Sequence, residues 1–558
     1  MEFLIRKAIQ EVCEEIGIAE VSFAVEHPTD FAHGDYATNV AMVCAGKAGK
    51  APRQIAEQFV TALEGKISDV ARIDIAGPGF INFHLTRDFF TEKIADINTQ
   101  PDTFGSNDIL AGEEIIFEYT SPNLFKPLHI GNLVGNIVGE SISRLFEFGG
   151  ATLYRVNYPS DIGLTVAKGV WGLTQTGGDV QDINQIGEAY RVGNAAYEDG
   201  TGKDAVEAVN RALYKGDDEK LNALRVQGIA TSRARLAELC RMLGTKFDAE
   251  IFESQVSEKG TQIVREHTGD VFEVSDGAVI FRGERHGLHT RVFLNSQGLP
   301  TYEAKDMGNF ALKQEMYPTW TQSFMVTGGE QREYFKVLIA ALREVFPESK
   351  DNVIENIATG FLTLTTGKMS SRKGNVLTGE SIIEEVRASA RERAEESRTD
   401  DIEALTEMVA VGALKYQILR QSVGSDIVFD KERALSLEGD SGPYLMYTHA
   451  RVMSILEKAK MHGIVASTAT APESPYEVEK YLYQFPEVIL KAQKERAPHY
   501  LVTYLTALAS SFNSFYAHEQ IIDTGDVYAP FKVALASATQ HVLKTGLTLL
   551  GIKAPDKM

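Results

Sequence analysis

Residues 118–150 read EYTSPNLFKPLHIGNLVGNIVGESISRLFEFGG. With EEIIF (113–117) before it, an apolar strand runs through the turn formers Ser121, Pro122 and Asn123 into a long helical pattern bearing His129, Gly131, Gly135 and Gly139. A strand leading through a turn into a helix is how a parallel nucleotide-binding sheet begins. The three glycines recur every four residues and share one helix face, which leaves backbone open to a flat ligand or to a packed neighbour. At the helix start, free N–H groups and the positive dipole end favour phosphate, and His129 can donate to the same anion. A glycine face used only for helix packing, with a satisfied histidine, is the competing reading.

Downstream, 239 positions after His129, residues 362–379 read LTLTTGKMSSRKGNVLTG. Lys368, Arg372 and Lys373 fall within six residues and Gly374 closes the run. Flexible cations in a glycine-bounded loop suit a triphosphate whose charge grows as pyrophosphate leaves. Alone, the same run is an ordinary solvated basic loop.

On either side of these segments the pattern changes. The opening helix has Phe3, Leu4, Ile5, Ala8, Val12 and Ile16 near helical spacing, which predicts one buried face. RIDIAGPGFINFHL (72–85) alternates Ile73 and Ile75, then Ile81, Phe83 and Leu85, around Gly-Pro-Gly, which predicts two strands and a turn. TQPDTFGSND (99–108) is rich in turn formers and sets a boundary near residue 105. From about residue 396 the pattern is almost wholly helical. The fold class is therefore α/β, with a small α+β domain over 1–105, a parallel-sheet domain over 106–395 and an all-α domain over 396–558. Residues 165–285 are expected to be a helical insertion in the middle domain.

The 558 residues are 44% hydrophobic and 24% charged, the composition of a multidomain globular protein. No stretch reaches the roughly 18 uninterrupted apolar residues of a membrane helix, and the start is amphipathic rather than basic-then-apolar, so a cytoplasmic address is expected. Cys13, Cys44 and Cys240 have no metal-ligand or redox spacing, so neither disulfide nor zinc is expected. A net charge of -21 sits awkwardly with a polyanionic partner, although local basic patches and unstacked loop bases still permit RNA recognition.

The two segments together resemble the signature pair of class I aminoacyl-tRNA synthetases, here His129-Ile130-Gly131-Asn132 and Lys368-Met369-Ser370-Ser371-Arg372. Two departures stand out. Asn132 replaces a histidine, and Ser371 replaces a lysine that in this class stabilises the transition state. In the arginine-specific branch that lysine is commonly missing, and Lys126 resembles its substitute. Five further residues, Glu118, Asn123, Tyr302, Asp306 and Gln331, match the arginine pocket of arginyl-tRNA synthetases. Tyr302 and Asp306 have the four-residue spacing of one helix face. The resemblance implies that Asp306, Tyr302 and Glu118 face the guanidinium, which needs carboxylates and acceptors when buried, while Asn123 and Gln331 hold the amino-acid head group. Without it, either carboxylate would be an ordinary surface or capping group.

The same resemblance implies a Rossmann-type class I catalytic domain, an N-terminal domain touching the outer corner of tRNA through Phe80 and Asn82, and an anticodon-binding domain with Tyr444, Tyr447, His449 and Arg451 as contacts. The aromatic residues are equally suited to core packing. It further implies that arginine is activated with ATP and passed to the terminal ribose of tRNA(Arg). His129, Lys126, Lys368 and Lys373 would carry the catalytic charge, Asn132, Met369, Ser370, Ser371 and Arg372 would contact ATP, and Gly131 would lie under the adenine. Mg2+ would accompany ATP, with no carboxylate cage for it in the sequence, and a monomer is the family default. The rival readings are a silent tRNA-binding paralogue, favoured by Asn132 and Ser371 alone, and a class I synthetase for another amino acid such as lysine.

Overall fold

The computed structural model describes residues 1–18, 21–365, 378–394 and 401–558, so the whole basic run Lys368 to Lys373 lies outside the described residues. The chain divides into two compact units, Met1–Phe104 with Arg451–Pro486 and Ala507–Leu543, and Gly105–Ala450 with Glu487–Thr506 and Lys544–Met558. The helices after residue 396, expected as one domain, are thus shared between the two.

In the first unit, helix Glu2–Glu15 buries Ile5, Ala8, Ile9, Val12 and Cys13. Phe3 and Leu4, expected on the buried face, are exposed. The buried set follows i, i+4, i+7 from Ile5, and each residue stepped back from Ile5 turns about 100° away from that face. Four strands follow, β1 (Val25–Glu26), β2 (Tyr36–Thr38), β3 (Val70–Ala76) and β4 (Phe80–Leu85), paired antiparallel in the order β1-β2-β4-β3. The β3–β4 hairpin is the predicted one, turning through Gly77 and Gly79 at φ 50° and 135°. Tyr36, Phe59, Phe83 and Phe90 fill the core between sheet and helices.

The second unit is built on a parallel sheet of β5 (Glu114–Glu118), β6 (Thr152–Asn157), β7 (Ala249–Glu250), and two strands that follow three antiparallel ones, β8 (Glu273–Ser275), β9 (Ala278–Phe281) and β10 (Arg291–Leu294). These last two are β11 (Gln322–Gly328) and β12 (Val353–Thr359), and the order is β12-β11-β5-β6-β7. From β5 the chain passes through helix Ile130–Phe148 to β6 on one side, and the later β11 pairs on the other. A strand flanked this way is a topological switch point, with a crevice outside its carboxyl end.

The insertion is only partly helical. Helices Leu164–Thr176, Ile183–Glu198, Lys203–Lys215 and Glu219–Leu243 come first, then β7 returns to the sheet and β8–β10 form a separate antiparallel sheet. Asp276-Gly277 makes the β8–β9 turn with both residues at positive φ, 49° and 79°, the geometry of a tight hairpin. Two short strands, β13 (Leu362–Leu364) before the basic run and β14 (Ile427–Phe429) well after it, pair in parallel. No described helix is long and apolar enough to cross a membrane.

Candidate active site

The turn after β5 is strained and held from several sides. Thr120, Ser121 and Phe125 are three of the five non-glycine residues with positive φ among the described residues. Such conformations cost about 1–3 kcal/mol each and persist only where the surroundings over-determine them. Here the Asn132 amide donates to the Thr120 carbonyl (2.7 Å) and the Asn136 amide to the Thr120 hydroxyl (2.9 Å). Asn157 accepts from the Ser121 N–H (3.2 Å). Asn132 therefore has its amide N–H committed to the turn's backbone.

Phe125 is fully buried, and its ring occupies the space where Gly169 and Gly228 of two insertion helices would carry side chains. That plug fixes the next residue, Lys126. Burial and the charge of Lys168 lower the Lys126 pKa from the usual lysine value, and its Nζ stands 5.9 Å from the Tyr190 ring centroid.

His129 is the N-cap of helix Ile130–Phe148. Its Nδ1 accepts from the Gly131 N–H (3.1 Å), which assigns the proton of the neutral ring to Nε2. Burial, then the Lys126 charge, lower its pKa, while Glu330 in the loop after β11 opposes them, so the neutral tautomer prevails at pH 7. One helix N–H counted as open to phosphate is thus capped by histidine, and the outward Nε2–H replaces it as donor. Of the three aligned glycines only Gly131 remains accessible. Gly135 faces the Val326 carbonyl and Gly139 the Tyr119 ring, so the expectation of an open face is corrected to packing at those two.

The basic run leaves the described residues after Thr365, at the end of β13, and returns at Thr378. Thr378 bridges to His129, the Gly379 N–H donates to the Leu128 carbonyl (2.8 Å), and the Leu128 N–H donates to Glu380 (3.2 Å).

Beside this turn lies a cluster of acids. Glu118, at the carboxyl end of β5 and 6% exposed, accepts from Lys313 Nζ (2.8 Å) and Asn309 Nδ2 (2.9 Å). Glu253 is buried against Lys305 Nζ (2.5 Å). Asp306, on helix Tyr302–Met316, accepts only from the Tyr334 hydroxyl (2.5 Å). Burial pushes Asp306 up to about 8, the Tyr334 hydrogen bond opposes this, and the charges of Glu118 and Glu253 add to it. Two of the three carboxylates already have ammonium partners, which leaves Asp306 as the one without a paired cation among the described residues. Tyr302 is exposed, with Lys305 Nζ 5.2 Å from its ring centroid. Asn123 follows β5 half-buried, and Gln331 stands exposed at the end of the turn after β11.

Family models match along most of the chain. "Arginyl tRNA synthetase N terminal domain" matches residues 3–85, "tRNA synthetases class I (R), catalytic domain" 102–431, and "DALR anticodon binding domain" 445–558. An arginine–tRNA ligase of Limosilactobacillus reuteri is 31% identical over 99% of this chain and 98% of its own. The chain belongs to the arginyl-tRNA synthetase family. An arginine–tRNA ligase of Halothermothrix orenii is 28% identical over 99% of this chain and 98% of its own. The Thermus thermophilus arginyl-tRNA synthetase structure superposes with TM-score 0.77 at 25% identity, covering all of both chains.

For an arginyl-tRNA synthetase, the expected tRNA contacts divide. Phe80 is exposed at the start of β4, as base stacking requires. Asn82, on the same strand, is 5% exposed, and His449 is fully buried with Nδ1 donating to the Pro555 carbonyl (2.9 Å), so neither side chain is open at the surface as the expected contact requires. Tyr444 and Tyr447 are half-buried. Arg451 donates to Asn513 (2.5 Å) and lies over the exposed Tyr516 ring. Sequence reasoning missed Tyr158, Asn309, Lys313 and Tyr334, which the acid cluster brings together. For Asn309 and Lys313 the signal was the continued helical spacing 302, 306, 309, 313; Tyr158 and Tyr334 come from other elements and had none.

Proposed function

We propose that this arginyl-tRNA synthetase activates L-arginine with MgATP in the crevice at the β5/β11 switch point, then passes the arginyl group to the terminal ribose of tRNA(Arg). The observation that carries the reading is the charge balance of the acid cluster. Glu118–Lys313 and Glu253–Lys305 are internally neutral pairs, and Asp306 is the carboxylate left for one incoming cation. A guanidinium is always charged and offers several donors in a fixed plane, which a lone carboxylate flanked by tyrosine hydroxyls and amide oxygens complements. Glu118 serves as an acceptor whose charge Lys313 already offsets, and Tyr302 covers the outer side. Asn123 and Gln331, one on each side of the switch point, hold the ammonium and carboxylate of the amino acid.

In the first step the arginine carboxylate attacks the α-phosphate, and pyrophosphate leaves. His129 Nε2–H and Lys126 hold the developing negative charge, with Gly131 beneath the adenine. Lys368, Arg372 and Lys373, with Met369, Ser370 and Ser371 among them, meet the outer phosphates from a segment whose returning end is pinned to His129. Magnesium would accompany ATP and offset charge on its phosphates. Phe80, Arg451, Tyr444 and Tyr447 are the proposed tRNA contacts, with functional segments at 1–105, 106–395 for catalysis and 396–558, the last distributed over both compact units. A monomer of the cytoplasm belongs to the same reading, and three free, buried cysteines support the reducing compartment.

ATP–pyrophosphate exchange with each amino acid, with and without tRNA(Arg), tests the assignment. Arginine alone should support exchange, and only with tRNA present; preference for another amino acid would overturn the pocket assignment.

A further inference from the structure

Tyr158, the residue after β6, is 7% exposed, and its hydroxyl is buried with no hydrogen-bond partner among the described residues. It belongs to an apolar core with Val156, Phe293 and Met307, yet Asp306, Glu253, Glu118 and the Tyr214 hydroxyl all act on it electrostatically. Each carboxylate has taken another donor instead, Tyr334 for Asp306, Lys305 for Glu253, and Lys313 with Asn309 for Glu118. Asn309 repeats the pattern. It is 3% exposed, and while its Nδ2 is bound to Glu118, its Oδ1 has no partner among the described residues. Two buried oxygens left unpaired around one acid are unusual, because an unsatisfied buried polar atom costs about 1–3 kcal/mol and native proteins hold few of them.

Both atoms can accept hydrogen bonds, and a guanidinium has donors only. Resting on the arginine pocket described above, we propose that Tyr158 is a specificity-determining residue of that pocket, its hydroxyl oxygen accepting a guanidinium N–H while its proton turns to a neighbouring carboxylate. Asn309 Oδ1 is the second acceptor. The pocket is thereby built with vacant lone pairs on neutral groups as well as one carboxyl that ionises as the cation arrives. A ligand bringing charge without several N–H donors leaves these oxygens unpaired, and that penalty discriminates against it.

The test is Tyr158→Phe in the full chain, assayed by ATP–pyrophosphate exchange with tRNA(Arg) and by thermal melting with and without L-arginine. Loss of one hydrogen bond to a charged ligand should raise the arginine KM about tenfold or more, with kcat and the ATP KM nearly unchanged. Removing an unpaired hydroxyl should leave the midpoint of the empty protein unchanged or higher, while the rise on adding arginine shrinks. An unchanged arginine KM, or a lowered midpoint with equal losses for both substrates, overturns the proposal. Asp306→Asn, run in parallel, separates two failures. If it raises the arginine KM and Tyr158→Phe does not, Tyr158 is excluded and the pocket stands; if neither changes it, the pocket assignment falls too.

Discussion

Arginine binding should depend on pH through Asp306. Burial lifts this carboxyl to about 8 in the empty pocket, well above an ordinary aspartic acid, so at pH 7 it holds a proton. Arginine keeps its guanidinium charged throughout, and it binds the ionised carboxylate, so each binding event must expel that proton. The sign follows: affinity falls as pH falls below the raised pKa. The apparent Kd is multiplied by 1 + 10^(pKa − pH), about 100-fold at pH 6, about tenfold at pH 7 and about twofold at pH 8. At pH 7 about 0.9 proton should be released per arginine bound. Calorimetric titration of the full chain with L-arginine between pH 6 and 8, in buffers of different ionisation enthalpy, measures both quantities. In Asp306→Asn both the slope and the proton release should vanish. An affinity independent of pH in the parent protein, or binding without proton release, would refute the argument that a single unpaired, desolvated carboxyl receives the guanidinium.

Asp306→Ala should raise the arginine KM by about two orders of magnitude while changing the ATP KM little, since a buried cation loses its charged partner; substrate-dependence of pyrophosphate exchange checks this. Lys126→Ala should lower the activation rate about 100-fold with little change in arginine affinity, because its partner charge develops only in the transition state; single-turnover kinetics separate the two, and an effect confined to affinity would remove Lys126 from the catalytic set. Gly228→Ala places a methyl group in the Phe125 ring, so overpacking of about 1–3 kcal/mol should lower the thermal midpoint, and the displaced Lys126 should slow activation; unchanged exchange in a folded variant would show that the plug does not position Lys126.

The strand–turn–helix that opens the parallel sheet and the hairpin at Gly77–Gly79 were legible because each depends on local pattern, a strand of alternating or continuous apolar residues ended by turn formers, whereas the switch point at β5 appears only in the strand order. The residues proposed for the arginine pocket came only through resemblance, since nothing in the local spacing of Glu118 announces Lys313, 195 residues away, as its partner. The partition of the acid cluster into two neutral pairs and one odd carboxylate is a tertiary fact. So is the donation of the Asn132 N–H to the strained backbone at Thr120, which the sequence shows only as a polar group in place of a histidine. The glycines at 131, 135 and 139 show the same limit, because their spacing predicts a shared face but not which neighbours reach it. The Asp276-Gly277 turn, by contrast, was there to be read; a short dipeptide between two alternating runs is a hairpin signal, and expecting one long helical insertion obscured it.

The account depends above all on a planar cation lying against Asp306 beside a nucleotide held at the His129 helix end. A crystal structure of the protein with arginine and a non-hydrolysable ATP analogue tests it most directly. The guanidinium is predicted within hydrogen-bonding distance of Asp306 and the Tyr158 hydroxyl, with the adenine over Gly131. A guanidinium seated elsewhere, with Asp306 still bound to Tyr334 alone, would contradict it.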